Sequence, residues 1–367
     1  MNELTYPYDD RPAVGTVQEI VPGVGWLSMP MPGSLAFINL YLLEDDDGWF
    51  VVDTGWANEE TAELWDQIFN TYLGGKPVKG VICTHMHPDH VGQAQMITER
   101  FECPLYMTQA EYYQARSFTV SGTGPFGSWQ GKQFYARAGM PLAVIEAMRE
   151  AMGSRSSGGF KDVTMPPGFV RLRDGQTLNI GGNEWKVVVG SGHSPEHACL
   201  HCSTLGIMIS GDQILPIITS NVSIFPNEPE SNPLLDWLSS LEQLMSTPEG
   251  TLILPAHNLP FYGVRARLRQ LIDHHEDRLL AIEENCPEPR VATDFLPVLF
   301  KRKLEGANMM MALGEALAHL QLLIYRNRIE RTLDEQGAWR FVSIDPTLDK
   351  RRHQADHDRP DESPVMV

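Results

Sequence analysis

The stretch "VICTHMHPDHVG", Val81 to Gly92, sets His85, His87, Asp89 and His90 within six positions, straight after a short apolar run. One histidine at a strand end is usually a satisfied polar group and nothing more. Three imidazoles and a carboxylate on one turn repel when protonated and compete for the same partners when neutral, unless a cation collects their lone pairs. The cluster therefore points to a metal site. A donor set of nitrogen and oxygen without thiolate suits zinc, and manganese and iron remain compatible with it.

Elements must position these groups. Val81-Ile82-Cys83 reads as a buried strand, and Pro88 disfavours continuing strand or helix through the cluster, so the turn lies at a strand end. Three more residues share that address: His193 follows the apolar run "WKVVVG", Asp212 ends "GIMISGD", and His257 follows "TLILPA". Strand ends on one edge of a layered sheet converge, so distant residues can complete one site. Upstream, "AFINLYLLEDDDGWFVVDTG" reads as two strands joined by an acidic turn. "NEETAELWDQIFNTYL" carries Trp65, Ile68, Phe69 and Tyr72 on one helix face, and "AQMITERFECPLYMT" reads as a helix and a strand. Such alternation predicts an α/β layered core. Residues 112–165 break the pattern with Gly, Ser and Pro clusters around "PLAVIEAMREAM", predicting a partly helical insertion or lid. Strand signals then resume, with Asp174-Gly175 and Gly181-Gly182 as turns.

"THMHPDH", "GHSPEH", "SGDQ" and "PAHN", in this order and spacing, resemble the metallo-β-lactamase superfamily and, within it, the branch similar to hydroxyacylglutathione hydrolases. The resemblance spans roughly residues 15 to 262. It implies an αββα sandwich with a two-metal site at one edge. Carried over residue by residue, it implies that His85, His87 and His193 hold the first metal, that Asp89, His90 and His257 hold the second, and that Asp212 bridges them. Asp89 and Asp212 are the expected catalytic residues. Asp53 in "VVDTG" resembles a family position that orients a ligand; an aspartate in a strand-to-helix turn accounts for it equally well. His197 matches a motif position but reads as structural. His201 and His319 read as core or boundary residues, and His274 and His275, in "LIDHHEDR", as helix-surface residues.

Two cations about 3.5 to 4 Å apart acidify a bridging water and polarise the substrate oxygen, so the expected chemistry is hydrolysis by a metal-bridging hydroxide, with Asp212 helping to position it. A thiolate, whose thiol has a pKa of about 8.5, leaves without a dedicated proton donor, whereas an amine needs one. A thioester or activated ester is the expected substrate, such as an acyl-CoA or glutathione thioester. Lactonase and phosphodiesterase or nuclease are the hydrolytic alternatives, and an iron-dependent redox enzyme the non-hydrolytic one.

With 367 residues, 42% of them hydrophobic, the chain is long enough for a sizeable core. A net charge of -18 argues against a nucleic-acid or anionic-membrane surface, and no apolar run or N-terminal leader pattern departs from a cytoplasmic protein. Nine acidic residues and no Lys or Arg between Tyr41 and Gly75 read as a solvated face. Five scattered cysteines make no disulfide framework; Cys199 and Cys202, three apart on a strand, face opposite ways and read as buried thiols. Residues 263–345 read as helices followed by a hairpin, a winged-helix-like module resembling the C-terminal extension of several superfamily members. Its balance of 12 basic and 12 acidic residues over 264–344 favours packing or homodimerisation over DNA binding. The polar segment 346–367, with His353 and His357, is predicted to be disordered. Within the insertion, Arg116, Lys132, Arg137, Arg149, Arg155 and Lys161 stand against Glu146, Glu150 and Asp162, a local reversal of sign that would suit a small anionic substrate. The aromatic residues there, Phe126 among them, would line its apolar part.

Overall fold

The computed structural model describes residues 4–120, 128–154, 159–301, 303–304 and 306–344. The predicted tail 346–367, Phe126 and Arg155 lie outside the described residues. The described chain forms two compact units. The first draws on Met1–Gly122, Ser157–Ser220 and Gln243–Leu268, and the second on Thr123–Ser156, Asn221–Glu242 and Arg269–Val367.

The first unit is an α/β sandwich. One sheet has seven strands in sequence order: β1 Gln18–Val21, β2 Val24–Pro30, β3 Phe37–Asp45, β4 Gly48–Val52, β5 Val78–Ile82, β6 Leu105–Met107 and β7 Val170–Arg171. The other has five: β8 Thr177–Ile180, β9 Asn183–Gly190, β10 His197–Cys202, β11 Ile207–Gly211 and β12 Leu252–Pro255, ordered β12-β11-β10-β9-β8. Strand alternation divides the apolar residues between two cores. Trp26, Tyr41, Leu43, Val52 and Ile82 of the first sheet meet Trp185, Val187, Leu200, Ile209 and Leu254 of the second. Leu27, Met29, Leu40 and Leu42 point the other way, into a core with Trp65, Ile68 and Ile97.

The helix Glu59–Thr71 starts where the sequence places it, because the Asn58 side chain accepts from Thr61 N (2.8 Å) and Glu59 and Glu60 face its positive end. Its stripe of Trp65, Ile68 and Phe69 is buried, each large side chain contributing about 1.5 to 3 kcal/mol by leaving water. The acidic stretch before and along it is met by basic side chains: Lys76 holds Glu44, Lys79 holds Asp45 and Asp47, and Arg100 holds Asp66. Strands β4, β5, β6 and β7 run parallel, as do β11 and β12, so several strands end at a common edge.

In the second unit, helix Ala307–Tyr325 and the later part of Val264–Glu284 precede an antiparallel hairpin, β13 Ile329–Leu333 and β14 Trp339–Ser343. Within the span read as helices, the segment "TDFLPVLF" forms only short helical pieces. A 3-10 turn, Ala292–Phe295, passes into one helical turn, Leu296–Leu299, opened by Pro297, and Phe300 is already extended. The stretch 112–165, expected as one insertion, is divided. Helix Gln109–Val120 belongs to the first unit, whereas Trp129–Arg137 and Leu142–Ser154 belong to the second. There Thr293 N donates to Ala138 O (3.1 Å), and the Phe134 ring meets Trp339 edge-on at 5.7 Å. No helix among the described residues is long and apolar enough to cross a membrane.

Candidate metal centre

The turn after β5 folds as the sequence demands. Pro88 opens the short helix Pro88–Val91, where its missing N–H costs nothing, and Asp89 and His90 ride on that turn. His193 comes from the loop after β9, Asp212 from the residue after β11, and His257 from just past β12. Gly211 takes φ +50° beside Asp212, and a Cβ there would meet His197 Nε2 at 2.5 Å, so glycine is required where the strand turns into the site.

All seven predicted residues are brought together, in two groups whose donor atoms lie within 4.8 Å of one another: His85, His87, His193 and Asp212, and Asp89, His90 and His257. Asp212 is shared in a specific way. Its Oδ2 lies 3.3 Å from His193 Nε2 and 3.8 Å from His85 Nε2. Its Oδ1 lies 3.6 Å from His90 Nε2 and 3.5 Å from His257 Nε2. Asp89 Oδ2 faces the second group, 3.6 Å from His90 Nε2 and 3.5 Å from His257 Nε2.

The far nitrogens of these rings are fixed from behind. His90 Nδ1 donates to Asp53 Oδ2 (2.8 Å) and His257 Nδ1 to the Phe37 carbonyl (3.0 Å), which orients both Nε2 lone pairs inward. Asp53 itself sits at φ +60°, a left-handed conformation uncommon outside glycine, with both carboxylate oxygens also accepting from the Thr84 hydroxyl. Of the two readings of Asp53, the geometry is that of a group orienting His90. His197 accepts from Asp212 N through Nε2 (3.1 Å), so it is turned to the backbone behind Asp212.

His90 Nε2, His257 Nε2 and both oxygens of Asp212 are buried and have no hydrogen-bond partner among the described residues. Native proteins rarely leave four such atoms together unsatisfied, and cations held one on each side of Asp212 would satisfy all four. The charges agree. Burial opposes charge on His90, yet Asp53, Asp89 and Asp212 push its pKa up to about 10, so the site favours a positive charge at Nε2, which a bound cation would supply in place of the proton. Burial likewise opposes charge on Asp212, but the facing His257, His90 and His193 hold its carboxyl well below the usual range. Burial, then the adjacent His193, drives His87 down to about 3, keeping it a neutral donor. These His and Asp clusters are suited to a binuclear metal site.

Sequence reasoning missed Glu111. This carboxylate, fully buried on the helix Gln109–Val120, accepts from Met86 N (2.9 Å) and Glu196 N (2.7 Å), and burial raises its pKa to about 7. Its place in "MTQAEYYQ" carries no spacing signal toward the motifs. His274 and His275 are not among the convergent groups, and His275 is fully buried in the second unit rather than on a helix surface. Cys199 and Cys202 are buried free thiols, Cys202 in the inter-sheet core and Cys199 against Ser210 O.

Comparison with known proteins places the chain. The profile described as "Metallo-beta-lactamase superfamily" matches residues 33–257, and "Metallo-beta-lactamase-like, C-terminal domain" matches residues 279–344. A solved structure described as a beta-lactamase domain protein from Burkholderia ambifaria is 39% identical with a TM-score of 0.84, covering 93% of this chain and 98% of that one. "Probable metallo-hydrolase YqjP" of Bacillus subtilis is 23% identical, over 81% of this chain and 91% of its own length. Two more distant relatives are a hydroxyacylglutathione hydrolase of Cereibacter sphaeroides and an acyl-coenzyme A thioesterase of Bos taurus. The first is 29% identical over 32% of this chain and 43% of its own; the second is 22% identical over 64% and 78%.

Proposed function

Because the chain belongs to the metallo-beta-lactamase superfamily and is a metal-dependent hydrolase, we propose that it cleaves a thioester or activated ester, an acyl-CoA or glutathione thioester being the favoured class. The observation that carries the two-metal reading is the division of Asp212, one orphaned oxygen toward each histidine group. His85, His87 and His193 would hold one ion, Asp89, His90 and His257 the other, and Asp212 both. Two bound cations supply Lewis-acid polarisation and a water acidified toward neutral pH, and zinc fits the donor set best, with manganese or iron as substitutes.

The chain's own residues set the conditions for that chemistry. Asp53 and the Phe37 carbonyl fix the tautomers of His90 and His257, and burial keeps His87 neutral. The preference for a thioester is supported by how two buried groups beside the ligands are engaged. Glu111 has both oxygens engaged by backbone N–H groups, and His197 Nε2 is engaged by Asp212 N. Among the described residues, then, neither of these buried groups near the ligands is available to protonate an amine; a thiolate needs no such donor. The partial likeness to a hydroxyacylglutathione hydrolase and the longer one to an acyl-coenzyme A thioesterase support the same class. A panel of acyl-CoA, glutathione thioester, lactone and phosphodiester substrates tests it: the thioesters are expected to give the highest kcat/KM, and faster turnover of lactones or phosphodiesters overturns the thioester reading.

A further inference from the structure

Two of the loops that carry histidines of the first group have no strand pairing to each other, yet their side chains meet within hydrogen-bond distance. His85 Nε2 lies 2.8 Å from His87 Nδ1 and 3.3 Å from His193 Nε2. Besides a backbone bond from Ala198 N to Thr84 O (2.8 Å), the contact between these loops runs through one buried carboxylate. Glu111 Oε2 accepts from the N–H of Met86, the residue between His85 and His87. Its other oxygen, Oε1, accepts from the N–H of Glu196, three residues after His193.

The arrangement is reciprocal. The Glu196 carboxylate accepts from Ala110 N (2.9 Å), at the start of the helix that carries Glu111, and the Glu196 carbonyl accepts from the Thr108 hydroxyl (2.7 Å). Four bonds thus tie one helix start to both loops. The second group has no part in this clasp; its rings are steadied by Asp53 and the Phe37 carbonyl. A buried carboxylate with both oxygens on backbone N–H groups is a costly feature to keep without a purpose, since either N–H is left unsatisfied if it is removed.

We infer that Glu111 is a positioning residue for one of the two ions: by clamping Met86 N and Glu196 N it sets the distance between the His85/His87 loop and the His193 loop. The inference rests on the two-metal reading above. Outer-shell groups of this kind alter metal affinity by about 10- to 100-fold when removed. Glu111→Gln is the incisive change, because the amide keeps the shape but turns an N–H2 toward one of the two backbone donors.

The experiment measures metal binding by competition with a chromophoric chelator, on the full chain, for the unsubstituted protein, Glu111→Gln and Glu111→Ala, alongside thermal melting of the metal-free forms. Cobalt-loaded samples report the ligand field of each ion. The expected result is that one of two ions binds about 10- to 100-fold more weakly in both variants, with an altered cobalt spectrum for that ion, while the other keeps its affinity. Equal weakening of both ions, or no change in either, overturns the inference. Failure of the underlying reading shows separately, as fewer than two ions in the unsubstituted protein, and removes the basis for the inference as well. If Glu111→Ala proves unstable, Glu196→Ala removes the acceptor of Ala110 N while leaving Glu111 in place; weakening of the same single ion supports the clasp, and unchanged binding counts against it.

Discussion

Histidines are buried in both units, but to different ends. In the first unit His90 and His257 each give Nδ1–H to an oxygen and are left with a bare, unpartnered Nε2 facing shared carboxylates. In the second, His319 Nδ1–H donates to Glu315 O (2.7 Å), and its Nε2 then accepts from His275 Nδ1–H at 3.2 Å. One ring is consumed by the other. The nearby Glu315 carboxylate is engaged by Arg278 (3.1 Å). The contrast shows that burial and proximity of imidazoles do not make a metal site. Convergent bare nitrogens with a carboxylate between them do, and among the described residues only the first unit has them.

The sharpest way to break this contrast is to remove the ions. Dialysis against a strong chelator is expected to abolish hydrolysis, and zinc, manganese or iron to restore it, with elemental analysis giving close to two ions per chain. Full activity after exhaustive chelation sinks the metal-dependent reading, and one iron with no second ion after zinc loading sinks the two-metal one. Next in size is Asp212→Asn. It keeps the side-chain shape but deletes the charge set between the two groups, so kcat/KM should fall on the order of 10³-fold, about 4 kcal/mol, with little change in melting temperature. Near-normal turnover with both ions bound disproves the bridging role of Asp212.

What the sequence reveals follows from how local each interaction is. His85, His87, Asp89 and His90 are legible because they crowd one turn, and His193, Asp212 and His257 because each follows an apolar run that ends a strand. The sandwich itself is written in alternation, as Leu40 and Leu42 pointing one way and Tyr41 and Leu43 the other illustrate. Glu111 is illegible, since it acts on backbone N–H groups 25 and 85 positions away, and any residue type could occupy those positions. His275 misleads for a related reason: flanked by Asp273, Glu276 and Asp277 it looks solvent-facing, and only the partner His319, 44 residues on, shows that it is buried. The division of residues 112–165 between the units is equally hidden, because it depends on contacts such as Ala138 with Thr293.

The buried pair in the second unit sharpens the contrast through pH. Burial, joined for His275 by His319, His274 and Arg278, keeps both rings neutral, His319 down to about 3 and His275 well below its ordinary value. In the unfolded chain each titrates near about 6.5. The unfolded state therefore binds more protons below that pH, and the pair's contribution is complete above about 6.5 and lost as pH falls toward about 3, by about 1.4 kcal/mol per pH unit for each ring. Denaturant unfolding of the second unit at pH 7, 6 and 5 should show this slope, and His319→Gln should flatten it. A midpoint that does not move between pH 7 and 5 refutes the account.

The smallest effect concerns the basic residues expected to favour an anionic substrate. In the second unit Lys132 and Arg149 both engage Glu146, at 2.7 and 2.8 Å, so part of that positive excess is already neutralised. In the first, Arg116 donates to the Tyr112 hydroxyl and the Pro167 carbonyl. Exposed charges of this kind contribute about 0.2 to 1 kcal/mol each, which limits any single substitution to roughly a five-fold change in KM. If these residues act on substrate, replacing Arg116, Lys132 or Arg137 with Ala raises KM for an acyl-CoA or glutathione thioester by that factor and leaves neutral esters unchanged. Glu146→Gln then has the opposite sign, because it frees Lys132 and Arg149 and should lower KM for the anionic substrate alone. Equal losses on charged and neutral substrates, or no response to Glu146→Gln, mark these charges as structural, and better turnover of neutral lactones than of any anionic thioester moves the lactonase reading to first place.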